Sequence, residues 1–139
     1  MEQRALRGSA RIVTDSLIAS DAFEQLQRAT ASGPAELVDL CREYLTEARQ
    51  TLAQLRNAFT LKHAEELRNR AHYLKGSSML LGAVYVTKCC ASLEAMGKKG
   101  DFTETEHMLD QTAAALDAVE HEFVKRLGPD VLPARGSAA

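Results

Sequence analysis

Hydrophobic residues recur through most of the chain at alternating steps of three and four, the spacing that places side chains on one face of an α-helix. No segment shows the period-two alternation that is typical of a half-buried strand. The pattern predicts four amphipathic helices, whose apolar stripes are Leu37, Cys41, Leu45, Ala48, Leu52 and Leu55; Ala64, Leu67, Ala71, Leu74, Ser78 and Leu81; Val86, Cys90, Leu93 and Met96; and Phe102, Thr105, Leu109, Leu116, Phe123 and Leu127.

Local signals mark where these helices begin and end. Asp21 with Glu24 predicts the start of a short additional helix near the N-terminus. Pro34 suits the first turn of the next helix, which is predicted over residues 34–58. A turn at residues 60–62 leads into the helix that ends at Gly82. The remaining signals are Gly97-Lys98-Lys99-Gly100 as the close of the third long helix, Asp101 with Glu104 as a capping pair that starts the fourth, and Gly128-Pro129 as its end.

The helices and their short connections predict an all-α fold. Four amphipathic helices of this length pack as an antiparallel up-and-down four-helix bundle, and the short N-terminal helix is expected to cover one end of it. We expect a flexible N-terminus over 1–15, one bundle domain over 16–128 and a flexible C-terminal tail over 129–139.

Composition and charge exclude several classes of function but indicate none. The 139 residues are 45% hydrophobic and 26% charged, with a formal net charge of -2. Basic residues are scattered among acidic ones, so nothing points to nucleic acid or to an anionic membrane. No apolar stretch is long enough to span a membrane, and the N-terminus lacks the apolar core of a signal peptide. A cytoplasmic location is expected.

The three cysteines, Cys41, Cys89 and Cys90, form neither an even disulfide set nor a pair with metal-ligand spacing. Adjacent cysteines allow a redox or metal hypothesis. However, neighbours on a helix point about 100° apart, and cysteine is often a small buried residue. The structural interpretation is therefore favoured, and no metal site is predicted.

The most informative segment for chemistry is 71–78, because it places His72, Lys75 and Gly76 on one helical ridge. On an ideal helix His72 lies roughly 130° from the centre of the apolar stripe, so its ring should reach solvent. A neutral imidazole nitrogen is nucleophilic near pH 7 and can accept and later release a phosphoryl group. Lys75 can balance the charge of such a group, although it could also be an ordinary solvated lysine.

Gly76 is an unfavourable residue for the interior of a helix. Glycine inside a helix costs on the order of 1 kcal/mol relative to alanine, so bare backbone one turn from His72 suggests the close approach of a partner. Ser77 and Ser78 are less informative, because a helical hydroxyl can bond back to the preceding turn or fill a small space against another helix. The other histidines, His63, His107 and His121, fit a helix start or a polar face and are assigned no role.

With these residues the sequence resembles the histidine-containing phosphotransfer (HPt) domain family, whose signature is His-x-x-Lys-Gly followed by small residues. The similarity covers about residues 16–127 and includes Leu81-Gly82-Ala83, Cys90, Leu93-Glu94 and Gly100-Asp101-Phe102. One departure is His63, which stands where many members open the phosphohistidine helix with Asp; it weakens an expected helix cap.

The resemblance implies a phosphorelay carrier that is not itself an enzyme. His72 would accept a phosphoryl group from a receiver-domain aspartate and pass it to the aspartate of another response regulator. The implied partners are receiver domains, with their own Mg²⁺, and a hybrid sensor histidine kinase; the chain itself needs no cofactor and is expected to be a monomer. Docking is expected on a mixed apolar and basic patch, and the residues expected to steer the approach are Arg68, Lys75, Lys98 and Lys99. The patch consists of Arg68, Lys75, Gly76, Met79 and Leu80.

Alternatives remain open at this point. Met79 and Leu80 could instead pack against a neighbouring helix end. A non-catalytic adaptor could bind a receiver domain or a kinase without carrying phosphate. A hydrolase with His72 as general base has little support, because no carboxylate stands at helical spacing to assist it. Autokinase activity is not expected, because the chain has neither a Gly-rich nucleotide loop nor room for an ATP-binding domain.

Overall fold

Five α-helices account for most of the described residues, which are 18, 20–29 and 33–133 of the computed structural model. We number them α1 (Ser20–Ala29), α2 (Pro34–Thr60), α3 (Ala64–Leu81), α4 (Val84–Lys99) and α5 (Thr105–Leu127); a short 3-10 helix, Pro129–Val131, follows. The predicted all-α class is confirmed. No helix in this part of the chain is both long and apolar enough to cross a membrane.

The four long helices form a bundle in which each contacts two neighbours. Helix α3 packs against α2 and α4, and α5 also packs against α2 and α4. Among the described elements α3 and α5 share no contact, so they lie diagonally opposite each other. Helix α1 contacts α2 and α3 and places Phe23 against the core. One face of the bundle is therefore built by α3 with its neighbours, and the face behind it is built by α5.

The apolar stripes form the core as predicted. All six stripe residues of α2 are buried, as are most of those in the other three helices. Residues at the helix ends are only partly buried, among them Ala64, Met96, Phe102 and Leu127. The glycine stops are also confirmed, because Gly82 and Gly100 cap α3 and α4 with φ of 75° and 69°. Left-handed backbone of this kind is where glycine avoids the penalty of a Cβ.

The predicted start of the fourth long helix is wrong. Helix α5 begins at Thr105 instead of Asp101, and Glu104 makes no side-chain capping bond. The reason is a local turn: the Asp101 carboxylate Oδ1 accepts hydrogen bonds from the Thr103 backbone N at 3.1 Å and from its hydroxyl at 2.7 Å. Short polar side chains that bond to nearby backbone in this way compete with helix formation.

The first residues of the predicted flexible C-terminal tail belong to the folded bundle. Residues 129–133 are packed on the bundle: Val131 is fully buried, and the Arg42 Nε donates a hydrogen bond of 2.9 Å to the backbone oxygen of Asp130. An apolar side chain just beyond the helix end can still reach the core, so Gly128-Pro129 ends the helix without ending the fold. The predicted tail over 134–139, the predicted N-terminus over 1–15 and the Asp21 cap lie outside the described residues and side chains.

Candidate functional site

His72 lies in the middle of α3, and its side chain is 68% exposed. The prediction that its ring reaches solvent is confirmed. The apolar stripe of α3 determines this orientation, because Leu67, Ala71 and Leu74 are buried on the other side of the same helix. The imidazole therefore stands on a convex helical surface where another protein can approach it.

Glu94 of α4 reaches across to this ring. Its carboxylate Oε2 lies 2.9 Å from the His72 Nδ1, a hydrogen-bonding distance. In the sequence, Glu94 is only part of the family resemblance and has no predicted function. The expectation that no carboxylate assists His72 rested on spacing within α3, and it is wrong because the carboxylate comes from the neighbouring helix. Only the pairing of α3 with α4 reveals it.

Lys75 completes a chain of three polar side chains. Its Nζ lies 2.6 Å from Oε1 of Glu94, so one carboxylate joins the lysine and the imidazole. Lys75 is only 27% exposed and is ion-paired instead of freely solvated. The hydrogen bond from Lys75 is the main cause that lowers the pKa of Glu94; burial opposes it, and the hydrogen bond with His72 lowers the pKa further. Glu94 is therefore an ionised carboxylate near neutral pH.

The charge of Glu94 determines which ring nitrogen of His72 carries the proton. An ionised carboxylate can only accept hydrogen bonds, so the Nδ1 of the neutral ring must be the donor. Nε2 then holds the lone pair. Among the described residues nothing forms a hydrogen bond with Nε2. The arrangement presents a nucleophilic nitrogen to solvent.

Gly76 leaves open space one turn after His72. A Cβ at this position would meet nothing within 4 Å, so neighbours within the described residues do not require a glycine here. The helix cost of Gly76 is thus not explained by packing inside the described part of the bundle.

Large apolar side chains are exposed on the same helix as His72. Met79 is 59% exposed and Leu80 is 61% exposed, so the alternative that they pack against a helix end is wrong. Tyr73, which sequence reasoning did not include, is 53% exposed and donates a 3.3 Å hydrogen bond to Glu47 of α2. Arg68, Lys98 and Lys99 are also exposed.

The two serines of α3 have structural roles. The Ser77 hydroxyl bonds back to the carbonyl oxygen of Leu74 at 3.2 Å. Ser78 is fully buried, and its hydroxyl lies 2.7 Å from the hydroxyl of Tyr44 on α2. Neither serine hydroxyl is left unbonded beside the imidazole. His63 precedes α3 without a side-chain capping bond, in line with the weakened cap expected there.

All three cysteines are buried and free. Burial raises the pKa of Cys41 and of Cys90 to about 12, and it also raises that of Cys89. Neutral buried thiols of this kind behave as small apolar groups. Within the described residues no group of three or more His, Cys, Asp or Glu side chains is arranged to hold a metal ion.

Comparisons with known proteins identify the family and the fold. The model of the Hpt domain family matches residues 39–122, which include His72, Lys75, Gly76 and Glu94. The fold is similar to the crystal structure of histidine-containing phosphotransfer protein B (HptB) from Pseudomonas aeruginosa PAO1, with a TM-score of 0.75. The two sequences are 23% identical, and the alignment covers 79% of this chain and 93% of that chain. No curated protein matches the sequence. The family resemblance inferred from sequence is confirmed.

Proposed function

Because this chain belongs to the Hpt domain family, we propose that it carries a phosphoryl group on His72 between two receiver domains. Hpt domains take part in histidine phosphotransfer in two-component phosphorelays, where they work with receiver domains and histidine kinases. In the proposed relay, His72 accepts the group from a receiver aspartate, and the aspartate of a second response regulator removes it.

One observation carries the proposal: an exposed imidazole whose Nδ1 is held by an ionised carboxylate. This contact leaves the Nε2 lone pair available for attack. It also fixes the orientation of the ring and the nitrogen that carries its proton, the role that a carboxylate plays beside the histidine of a hydrolytic triad.

In the transfer step one bond to phosphorus forms as another breaks. The Nε2 lone pair attacks the phosphorus of the aspartyl phosphate, the new P–N bond forms, and the P–O bond breaks with its electron pair going to the aspartate carboxylate. The product ring carries a phosphoryl group on Nε2 and a proton on Nδ1, so it gains positive charge. Glu94 faces that charge at 2.9 Å and stabilises it. In the onward step the accepting aspartate attacks phosphorus, and the electron pair of the P–N bond returns to Nε2.

Lys75 supports this step in two ways. Its ion pair with Glu94 keeps the carboxylate ionised and oriented. Its positive charge also lies one turn from His72, where it offsets part of the negative charge of the incoming phosphoryl group.

The docking face consists of Arg68, Lys75, Gly76, Met79 and Leu80. Exposed apolar side chains around a nucleophile suit the core of a protein–protein contact, and basic residues at its edge suit an acidic receiver pocket that holds Mg²⁺. Gly76 allows that pocket to come close to the helix backbone. Lys98 and Lys99, in the last turn of α4, contribute to electrostatic steering.

The remaining parts of the proposal concern the chain as a whole. Members of the family are carriers without kinase domains. We extend this to the present chain, which would act as a cytoplasmic monomer without a cofactor of its own and would receive phosphate from the receiver domain of a hybrid sensor histidine kinase. A hydrolase is not favoured, because neither α3 serine hydroxyl is left unbonded beside the His72 ring.

A non-catalytic adaptor is the alternative, and labelling separates it from a carrier. Purified protein is incubated with receiver domains of its own organism that have been phosphorylated with labelled phosphate. A carrier takes up acid-labile, base-stable label that is absent from His72→Gln but present in His107→Gln, a matched change on the exposed side of α5. An adaptor binds a receiver without taking up label, and its signalling output survives His72→Gln.

A further inference from the structure

Gly97 lies where the backbones of α3 and α4 touch. A Cβ at this residue would be 2.6 Å from the backbone N of Arg68 and 2.7 Å from the backbone O of Ala64. In a regular helix those two atoms are the donor and acceptor of one main-chain hydrogen bond, so neither can swing aside as a flexible side chain would. Sequence reasoning treated Gly97 only as part of a helix end, yet the left-handed stop of α4 is Gly100.

This crossing point lies one turn away from the His72 to Glu94 contact. Arg68 is four residues before His72 on α3, and Gly97 is three residues after Glu94 on α4. The distance between the helices at the crossing therefore governs the distance between the imidazole and the carboxylate one turn further along.

We propose that Gly97 is a positioning residue for phosphoryl transfer: by allowing the backbones of α3 and α4 to touch, it sets the Nδ1 to Oε2 distance and thereby the tautomer of His72. The proposal rests on the proposed function, since it concerns how the same histidine is prepared for attack.

The distances indicate what an added methyl group would do. Moving a Cβ from 2.6 Å to an ordinary contact of 3.4 Å requires the helices to separate by about 0.8 Å. The same displacement would carry the 2.9 Å hydrogen bond between His72 and Glu94 beyond hydrogen-bonding distance. Lys75, with its longer and more flexible side chain, can follow Glu94, whereas the shorter histidine cannot. The imidazole therefore loses its orienting partner while the ion pair persists.

The tautomer is measured directly by nitrogen NMR of the full-length protein, at a pH where the ring is neutral. In the wild-type protein the His72 shifts should assign the proton to Nδ1. In Gly97→Ala they should move toward a mixture of the two tautomers. A wild-type ring without a preference for the Nδ1 proton would overturn the proposal even if the variant failed to fold, and so would a folded variant with wild-type shifts.

A second measurement uses phosphoramidate, a small donor that needs no docking face. Nε2 attacks phosphorus, the P–N bond of the donor breaks, and ammonia leaves. Gly97→Ala should slow this reaction by about tenfold, as Glu94→Ala does, because both remove the charge-assisted hydrogen bond to His72. The double variant should be no slower than Glu94→Ala alone, because Glu94→Ala already removes the contact through which Gly97 acts. Rates that multiply in the double variant would show an effect independent of Glu94 and would refute the proposal.

Val119→Ala is the control variant, because it should lower stability without changing the α3–α4 crossing. Val119 is fully buried in α5, away from the α3–α4 crossing, so the change weakens the core without moving the two helices. Its rate with phosphoramidate should equal that of the wild type. Neither measurement uses a receiver domain. A negative result here therefore speaks against the role of Gly97, whereas failure of the relay would appear in the labelling experiment with receiver domains.

Discussion

Carboxylates join neighbouring helices on two faces of the bundle, the α3–α4 face that carries His72 (the front) and the α2–α5 face (the back). Their partners differ. At the back, Arg49 of α2 pairs with Asp117 of α5 at 2.6 Å, and Arg56 pairs with Asp110 at 3.2 Å. At the front, Glu94 of α4 is shared between Lys75 and His72 of α3. A guanidinium stays charged and has only donors, so the back pairs link helices and do nothing else. The imidazole keeps a second nitrogen that is free to react.

The difference teaches that a bridging carboxylate becomes functional through the group it orients. Exposed ion pairs such as those at the back are worth little, typically about 0.2–1 kcal/mol each. The front carboxylate is not distinguished by greater strength. It is distinguished because its hydrogen bond selects the tautomer of an exposed imidazole. Four experiments test this contrast, in order of decreasing effect.

The largest effect is expected for Glu94→Gln. The amide cannot carry negative charge, so it no longer stabilises the phosphorylated ring, and transfer from a receiver domain should slow by about 10- to 100-fold. The matched change at the back, Asp117→Asn, should leave the rate unchanged, because Arg49 bridges only helices and still has Glu120 at 3.8 Å. Initial rates of label transfer measure both. Equal rates for the two variants would remove the distinction between the faces.

Leu80→Ser should have the next largest effect, and only with a protein donor. Loss of a large apolar side chain from the docking face should lower kcat/KM with a receiver domain by about tenfold, while the reaction with phosphoramidate stays at the wild-type rate. Leu61→Ser is the control, because Leu61 is also exposed, at 53%, but lies in the α2–α3 turn outside the docking face. A deficit with phosphoramidate would contradict a role limited to docking.

Lys75→Ala should slow transfer by about fivefold while leaving the fold intact. The effect is smaller than that of Glu94→Gln, because Glu94 remains in contact with His72 when the lysine is gone. Lys75→Arg should recover part of the rate, since it keeps the charge but not the geometry of the ammonium. Circular dichroism checks the fold, and a wild-type rate for Lys75→Ala would refute the electrostatic role.

The smallest effect is expected in how the free energy of unfolding depends on pH. The pKa of Glu94 is lower in the folded state than in the unfolded chain, so its contribution is present above the unfolded pKa and is lost as pH falls through the folded pKa. Denaturant unfolding of the wild type should therefore lose more stability on acidification below about pH 4.5 than unfolding of Glu94→Gln, by less than about 1 kcal/mol. Asp101, whose pKa is also lowered, is present in both proteins and cancels. A larger acid loss in Glu94→Gln would contradict the sign.

Most of the fold was predictable, because helical periodicity is a property of each segment alone. The stripes of α2 and α3 and the stops at Gly82 and Gly100 needed no knowledge of neighbours. The start of α5 was misplaced because Asp101 offered two local solutions, a helix cap and a turn, and the hydrogen bonds to Thr103 decided for the turn.

The candidate site was predictable in part for the same reason. His72, Lys75 and Gly76 share one ridge of one helix, so spacing alone brought them together. Glu94 and Gly97 belong to a different helix, and their roles depend on the rotation and register of α4 against α3, which no single segment specifies. Tyr73 also lies off the apolar stripe of α3, so its exposure could have been predicted from spacing alone.

The bond between the hydroxyls of Ser78 and Tyr44 has a consequence for the direction in which His72 faces. Apolar contacts are not directional, so they fix the rotation of a helix about its axis less sharply than a hydrogen bond does. The two buried hydroxyls lie 2.7 Å apart, and a rotation of α3 that separated them would leave both without a partner, at a cost of about 1–3 kcal/mol for each. This buried hydrogen bond thus fixes the rotation of α3, and with it the direction in which the exposed His72 ring points.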